Sequence, residues 1–180
     1  MHASIADVIA DTAQNSIEAG ARHVALEMSE DAERISVRIT DDGKGMDEAS
    51  LARAFNPFYS EPGKHDSRRV GLGLPILKQI CEATDGEVSL KSQKGVGTEL
   101  AYCFSAKHID LPPMGDVADA LLMLFNYPGN FELVFTHRKG ADEYSISRSE
   151  LADAVGGLET ADGLSLAREF LHSQEESLGC

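Results

Sequence analysis

Four short motifs follow one another in a fixed order along the first half of the chain. They are Asp11-x-x-x-Asn15, Asp41-x-Gly43-x-Gly45, Phe55-Asn56-Pro57-Phe58-Tyr59 and Gly71-Leu72-Gly73-Leu74. Each alone has an ordinary explanation: a solvated helix face, a turn, core packing or a glycine turn. The motifs are far apart in sequence, so only a specific fold could bring them to one site.

The first motif lies in a predicted helix over residues 4–20. Apolar residues recur at helical spacing from Ile5 to Ile17, Ser4 is a suitable N-cap and Gly20 a suitable stop. Asp11 and Asn15 are four residues apart and therefore share a polar stripe beside the apolar one. Asn15 offers the hard oxygen that Mg²⁺ accepts, and Asp11 could orient or deprotonate a nucleophile.

The second motif follows a strand predicted over residues 35–40, which alternates polar and apolar side chains. Asp41, at the strand end, can accept a hydrogen bond from an exocyclic amine such as that of adenine. Gly43 and Gly45 permit close backbone approach to a ligand. The alternatives are a plain turn or a calcium loop, but the stretch lacks the further ligands and terminal Glu of such a loop.

The fourth motif opens a helix predicted over residues 74–83. Its glycines can expose N–H groups to a phosphate at the positive end of the helix dipole. Arg69 precedes the loop as a candidate phosphate contact. The motif is not a Walker loop, since no Gly-Lys-Ser/Thr follows, and it lacks the third glycine of a dinucleotide fingerprint.

Taken in order, these residues resemble the boxes of the GHKL superfamily ATPase domain, or Bergerat fold. This domain is the catalytic domain of sensor histidine kinases and is shared in type with gyrase, mismatch-repair ATPases and ninety-kilodalton heat-shock chaperones. Asn15 resembles the N box, Asp41 the G1 box, Phe55 the F box and Gly71 the start of the G2 box. The resemblance covers about residues 3–105, including a closing hairpin that ends in Gly95-Val96-Gly97-Thr98.

The resemblance implies a site for ATP and Mg²⁺, with Asn15 as the metal ligand, Asp41 at the adenine amino group and Asp11 as the catalytic residue. Residues 59–71 would form a lid over the phosphates. The implied cofactor-binding residues are Asn15, Asp41, Gly43, Gly45, Met46, Phe55, Phe58, Arg69, Gly71, Leu72, Gly73, Leu74 and Thr98. Two positions depart from the family pattern, because Asp11 stands where the hydrolytic branches have Glu and Arg69 where a further glycine is usual.

The fold class expected is α+β, a two-layer α/β sandwich of the Bergerat type with a mixed sheet and helices on one face. Further strands are predicted over 24–28, 87–92 and 98–105, and a short helix over 50–54. The ATPase domain would span residues 1–107.

Residues 108–180 are expected to form a small accessory α+β unit after a proline-containing linker. A helix over 115–126, a hairpin over 131–147, a short helix capped by Ser149 and a last helix over 164–178 are predicted. This unit could be a docking or dimerisation module, which makes a homodimer possible, or an extension that covers the ATPase sheet. Its basic side chains are only Arg138, Lys139, Arg148 and Arg168, so an anionic partner is not expected.

Composition restricts the partners. The formal net charge is −14, which opposes nonspecific binding to nucleic acid. No apolar run reaches membrane-spanning length and no signal peptide is visible, so we expect a cytoplasmic protein without a membrane partner. The 3 cysteines lack metal-site spacing and are expected to be free thiols.

The expected function is phosphoryl transfer from Mg-ATP to a protein partner in signalling or regulation. None of the 6 histidines lies in the family's acceptor context, a histidine followed by an acidic residue within a long helix. A second hypothesis is a slow ATPase that switches shape with nucleotide, since residues 15–21 resemble the mismatch-repair branch. A third is a regulator similar to the anti-sigma kinases, which binds ATP or ADP and sequesters a partner.

Overall fold

The computed structural model describes residues 4–56 and 73–178. Within these two stretches the chain forms one six-stranded sheet and six helices. The strands are β1 (His23–Glu30), β2 (Arg34–Asp41), β3 (Glu87–Gln93), β4 (Gly97–Ser105), β5 (Glu132–Lys139) and β6 (Asp142–Ser147). The helices are α1 (Ile5–Glu18), α2 (Glu48–Arg53), α3 (Gly73–Ala83), α4 (Val117–Phe125), α5 (Arg148–Val155) and α6 (Ala161–Ser177).

The sheet is mixed, with strand order β3-β4-β2-β1-β5-β6. Its one parallel pair is β1–β5, and the other neighbouring strands are antiparallel. Together with the helices this arrangement confirms the α+β class predicted from the sequence.

Side chains on each strand alternate between buried and more exposed positions, as on Val24, Leu26 and Met28 of β1. One face of the sheet is therefore covered, and the other faces outward. The apolar stripe of α1 packs on the covered face, where Ile5 and Ile9 are fully buried. Each such side chain removed from water contributes roughly 1.5–3 kcal/mol to folding.

Local signals set the helix ends. Ser4 caps α1, as the sequence predicts, and the structure shows that it also forms a reciprocal capping box with Asp7. The predicted cap of α5 was wrong, because Ser147 rather than Ser149 accepts the N–H of Glu150. The carboxylate of Glu150 in turn accepts the N–H of Ser147, at 2.9 Å, and this second bond favours the earlier serine.

The segment after residue 108 joins the same sheet. Strand β5 pairs with β1 in parallel, from His23 opposite Glu132 to Glu30 opposite Lys139, and thereby satisfies the outer edge of β1. Leu133 and Phe135 of β5 belong to the same hydrophobic cluster as the α1 residues. The assignment of residues 108–180 to a separate docking or dimerisation unit stays a prediction.

A buried polar cluster joins α6 to this added part of the sheet. His137 on β5 is 2 % exposed and lies between two carboxylates, with its Nε2 2.8 Å from Glu30 and its Nδ1 3.0 Å from Glu175. The hydroxyl of Tyr144 on β6 donates to the same Glu175 carboxylate. Burial disfavours the imidazolium, but hydrogen bonds to Glu175 and Glu30 outweigh this effect and raise the pKa of His137 to about 9.

The structure also bears on the state of the cysteines and on membrane-spanning helices. Cys81 and Cys103 are free thiols, and burial raises the pKa of Cys81 to about 12, whereas Cys180 lies outside the described residues. Among the described residues, no helix combines the length and apolar character that crossing a membrane requires.

Candidate functional site

Asp41 lies at the end of β2, beneath α1, and both of its carboxylate oxygens are held. The hydroxyl of Ser16 on α1 donates to Oδ2 at 2.6 Å, and the N–H of Gly43 donates to Oδ1 at 2.9 Å. Asp41 and Ser16 are both buried. These two bonds fix the rotation of the carboxylate, and its remaining lone pairs can accept from a ligand.

The loop that follows Asp41 is hydrogen-bonded to β3 and to the turn between β3 and β4. The N–H of Gly95 donates to the carbonyl of Lys44 at 2.7 Å, and the N–H of Met46 donates to the Ser92 hydroxyl at 2.8 Å. Gly45 has φ +61°, and a Cβ there would lie 2.0 Å from the carbonyl oxygen of Gln93. Only glycine fits this approach of two backbone segments without displacement.

Thr98, at the start of β4, stands directly opposite Asp41 in the sheet. Opposed residues of neighbouring strands point to the same face, so the Thr98 hydroxyl and the Asp41 carboxylate share the covered side. The Thr98 hydroxyl is also 2.9 Å from that of Ser92, its partner on β3. Polar groups on three adjacent strands thus form one row on the covered face of the sheet.

Asp11 and Asn15 face the beginning of α3. A Cβ built on Gly73 would lie 2.0 Å from Oδ2 of Asp11 and 3.9 Å from Nδ2 of Asn15. The first and fourth motifs therefore meet in space, with a carboxylate and an amide at the amino end of α3. Hard oxygen groups of this kind suit Mg²⁺, and helix N–H groups suit phosphate.

The remaining predicted residues fall on both sides of the gap in the described chain. Phe55 is half-buried, with the ammonium of Lys78 on α3 5.9 Å from its ring centre, and Leu74 packs against the core. Phe58, Arg69, Gly71 and Leu72 lie outside the described residues, as does the predicted lid.

The second aspartate of the G1-like motif has a different environment. The backbone N–H and imidazole of His23, with the N–H of Arg22, bond to Asp42 and lower its carboxyl pKa to about 2. These contacts tie the end of β2 to the start of β1. Asp42 is thereby engaged in local structure, whereas Asp41 lies beneath α1 and is bonded to Ser16.

Comparison with known proteins identifies the family to which the chain belongs. The model of the histidine kinase-, DNA gyrase B- and HSP90-like ATPases matches residues 2–109, which is more than half of the chain. The chain belongs to this family. It contains an ATP-binding domain of the histidine-kinase type, as the order of the four motifs predicts.

Several relatives of this ATPase domain are sensor proteins. The heme sensor protein HssS of Staphylococcus saprophyticus is 36% identical over 104 residues, covering 58% of this chain and 22% of HssS. The sensor histidine kinase YvrG of Bacillus subtilis is 35% identical over 71 residues, covering 39% of this chain and 12% of YvrG. The chain thus spans less than a quarter of the length of either relative.

A solved structure extends the likeness in fold beyond the family match. The N-terminal domain of a DNA repair protein superposes with a TM-score of 0.60 at 14% identity, covering 89% of this chain and 58% of that one. At this identity the likeness concerns the fold alone. The coverage includes much of the segment after residue 109.

The sequence did not identify two residues of this ATPase domain as parts of the site. Ser16, beside Asn15, holds Asp41, and Ser92 joins Thr98 to the Met46 backbone. A signal existed for Ser92, since it takes the inward position that Val88 and Leu90 occupy earlier on β3. For Ser16, the only sequence signal was its position next to the polar stripe of α1.

Proposed function

We propose that the chain binds Mg-ATP beneath α1 and passes the terminal phosphate to a protein partner. The observation that carries this proposal is the arrangement around consecutive residues of α1. Asn15 faces the start of α3 together with Asp11, whereas Ser16 holds Asp41 at the end of β2. Helix α1 thus connects a site suited to phosphate, at the start of α3, with a hydrogen-bond acceptor suited to adenine, the Asp41 carboxylate.

In this proposal each group has a limited role. Asn15 would ligate Mg²⁺, Asp41 would accept from the adenine amino group, and Thr98 would support the base through its hydroxyl. The metal supplies charge neutralisation at the phosphates. Helix α3 would place backbone N–H groups at the phosphate oxygens, and Gly73 lets Asp11 come close to that helix end.

The partner and the setting belong to the same proposal. A protein phosphoacceptor is supported by the sensor histidine kinases among the relatives, which match this chain over part of their length. Residues 108–180 would dock that partner or a second copy of the chain. We propose a cytoplasmic location, in keeping with the absence of a membrane-spanning helix from the described residues.

A second candidate function is a slow ATPase that uses nucleotide to change shape. It is favoured by Asp11, a carboxylate that lies against Gly73 at the beginning of α3. A carboxylate there is suited to orient or deprotonate a water molecule near a terminal phosphate. The two candidates differ in where the phosphate goes.

The test is to incubate the protein with γ-labelled ATP and Mg²⁺ and to follow the label. Label that stays in ATP, with tight binding in the same sample, is the outcome expected of a kinase that awaits its partner. Release as free phosphate at a rate abolished by Asp11→Asn would support the ATPase instead. Failure to bind ATP with Mg²⁺ would contradict both.

A further inference from the structure

Helix α1, which carries the proposed magnesium ligand, is held at both ends by the part of the chain after residue 108. At its amino end, the N–H groups of Ile5 and Ala6 donate to the carbonyls of Pro113 and Met114, at 2.9 and 2.8 Å. The N–H groups of a first helical turn have no partner within their own helix. These two bonds therefore satisfy donors that α1 leaves open, and they anchor its amino end.

Helix α4 follows directly and packs along α1. Leu121 and Phe125 of α4 are fully buried, in the same hydrophobic cluster as Ile9 of α1. The start of α4 lies near the start of α1, and Tyr127, just after α4, contacts Gln14 in the last turns of α1. The two helices therefore run in the same direction, and the chain that leaves α4 reaches the carboxyl end of α1.

The hydroxyl of Tyr127 connects this chain segment to α1. It donates to Oε1 of Glu18 at 2.9 Å and accepts from Nε2 of Gln14 at 3.1 Å. The Gln14 amide also donates to the same Glu18 oxygen, at 2.6 Å. A carboxylate only accepts, so the phenol proton and one amide proton go to Glu18, and the second amide proton goes to the phenol oxygen. The three groups thus form a closed network in which each donor has an acceptor.

The loop that carries Tyr127 is itself restrained. Arg148, at the start of α5, donates from Nε to the carbonyl of Phe125 at 2.8 Å and from Nη1 to the carbonyl of Phe131 at 3.0 Å. Its guanidinium also lies 4.3 Å from the centre of the Phe131 ring. Hydrogen bonds from a charged donor are stronger than those between neutral groups. Because Arg148 holds carbonyls on both sides of residue 127, Tyr127 is presented to α1 by a fixed backbone.

The network lies on the side of α1 that carries Asn15. In the sequence Asn15 lies between Gln14 and Glu18, and residues at such spacings share one side of a helix. A contact that holds both Gln14 and Glu18 therefore fixes the rotation of α1 and its distance from α3. Groups that act at a metal must be held to within about 0.5 Å of their working position, so this rotation matters for Asn15.

We propose that Tyr127 is a positioning residue for the metal site. Through Gln14 and Glu18 it holds α1 in the rotation in which Asn15 faces the start of α3. The inference rests on the proposed binding of Mg-ATP, with Asn15 as the metal ligand. It makes the chain after residue 108 a support of the nucleotide site, in addition to any docking role.

The experiment measures dissociation constants for ATP in Mg²⁺ and in EDTA. Tyr127→Phe, which removes only the hydroxyl, should weaken binding in Mg²⁺ by about three- to fivefold and change binding in EDTA by less than about twofold, because its effect passes through the metal ligand. Tyr144→Phe is the matched control, since it also removes a hydroxyl that donates to a glutamate, Glu175 of α6. It should change neither constant.

A double variant separates positioning from a general loosening of the fold. Asn15→Ala/Tyr127→Phe should bind ATP in Mg²⁺ within about twofold of Asn15→Ala alone, because the position of α1 no longer matters to the metal once the ligand is gone. A further loss as large as that of Tyr127→Phe alone would mean that the two residues act independently, and it would overturn the proposal. Equal weakening by Tyr127→Phe in Mg²⁺ and in EDTA would overturn it as well.

Failure of this inference is distinguishable from failure of the proposed function. A wild-type protein that does not bind ATP in Mg²⁺ would overturn both. Wild-type binding that Tyr127→Phe leaves unchanged would refute the positioning role alone. If Tyr127→Phe does not fold, Gln14→Leu removes the amide of the same network, and an unchanged difference between Mg²⁺ and EDTA in that variant would refute the proposal.

Discussion

The carboxylate of Asp11 lies so close to Gly73 that a methyl group on Gly73 would come within 2.0 Å of Oδ2. Asp11 projects from α1, and Gly73 is the first residue of α3. The contact therefore places a negative charge at the amino end of α3, where the helix dipole favours anions. In the proposed function a nucleotide phosphate would bind at the same helix end, where Asp11 would either activate a nucleophile or compete with the phosphate.

Asp11→Asn separates binding from hydrolysis. The amide keeps the shape of the side chain but cannot act as a base, so we expect ATP binding to be retained and phosphate release to fall to background. Filter binding and a phosphate-release assay on the same preparation measure the two quantities. Glu27→Gln, an equal charge change on the outer face of β1, is the control. Equal phosphate release by Asp11→Asn and wild type would eliminate Asp11 as the base.

Asn15→Ala tests the metal role. Removal of the amide oxygen should weaken ATP binding in Mg²⁺ by roughly tenfold, because a ligand of the metal is lost, and should change binding in EDTA much less. Titration of a fluorescent ATP analogue under both conditions checks this expectation. A variant that keeps the full difference between Mg²⁺ and EDTA would show that Asn15 is no ligand.

Gly45→Ala should destabilise the loop after β2. The variant must place a methyl group 2.0 Å from the Gln93 carbonyl oxygen, with φ at +61°, so we expect a loss of about 2–4 kcal/mol of unfolding free energy. Gly95→Ala is the matched control, since Gly95 has φ +77° but nothing within 4 Å of a Cβ. It should cost only about 1 kcal/mol. Urea unfolding compares the two, and equal costs would argue against the close approach of Gly45 to Gln93.

His137→Gln should remove a pH dependence of stability. The folded-state pKa of about 9 lies above the ordinary value of 6.5, so protonation of His137 stabilises the folded state fully below pH 6.5. That contribution, on the order of 3 kcal/mol, is lost as pH rises from 6.5 through 9. The groups that face the ring are Glu30, Glu175 and Tyr144.

Urea unfolding of wild type and His137→Gln between pH 6 and pH 10 measures this contribution. The difference in unfolding free energy between the two proteins should shrink across that range. Glu175→Gln, which removes one of the two carboxylates, should move the loss to lower pH. A difference that stays constant with pH would mean that His137 is not charged in the folded protein.

Much of the fold was readable from local pattern. The apolar repeat of α1 and the alternation of β2 rest on the 3.6- and 2-residue periods by which side chains reach one face, and both elements form as predicted. The chain order of the motifs likewise predicted the family. The pairing of β5 with β1 was not predictable in this way, because the alternation of polar and apolar residues in a strand does not specify which strand it pairs with.

The sequence by itself determined the elements, the family and the candidate residues, because periodicity, caps and motif order are local properties of the chain. Only the tertiary structure decided that Ser16 restrains Asp41, that the Ser92 and Thr98 hydroxyls are in hydrogen-bond contact and that Asp11 meets Gly73. Each of these contacts joins residues from different elements. Their distances depend on how α1 and α3 pack on the sheet and on strand register, and hydrogen bonds respond to differences of a few tenths of an ångström that no local pattern encodes.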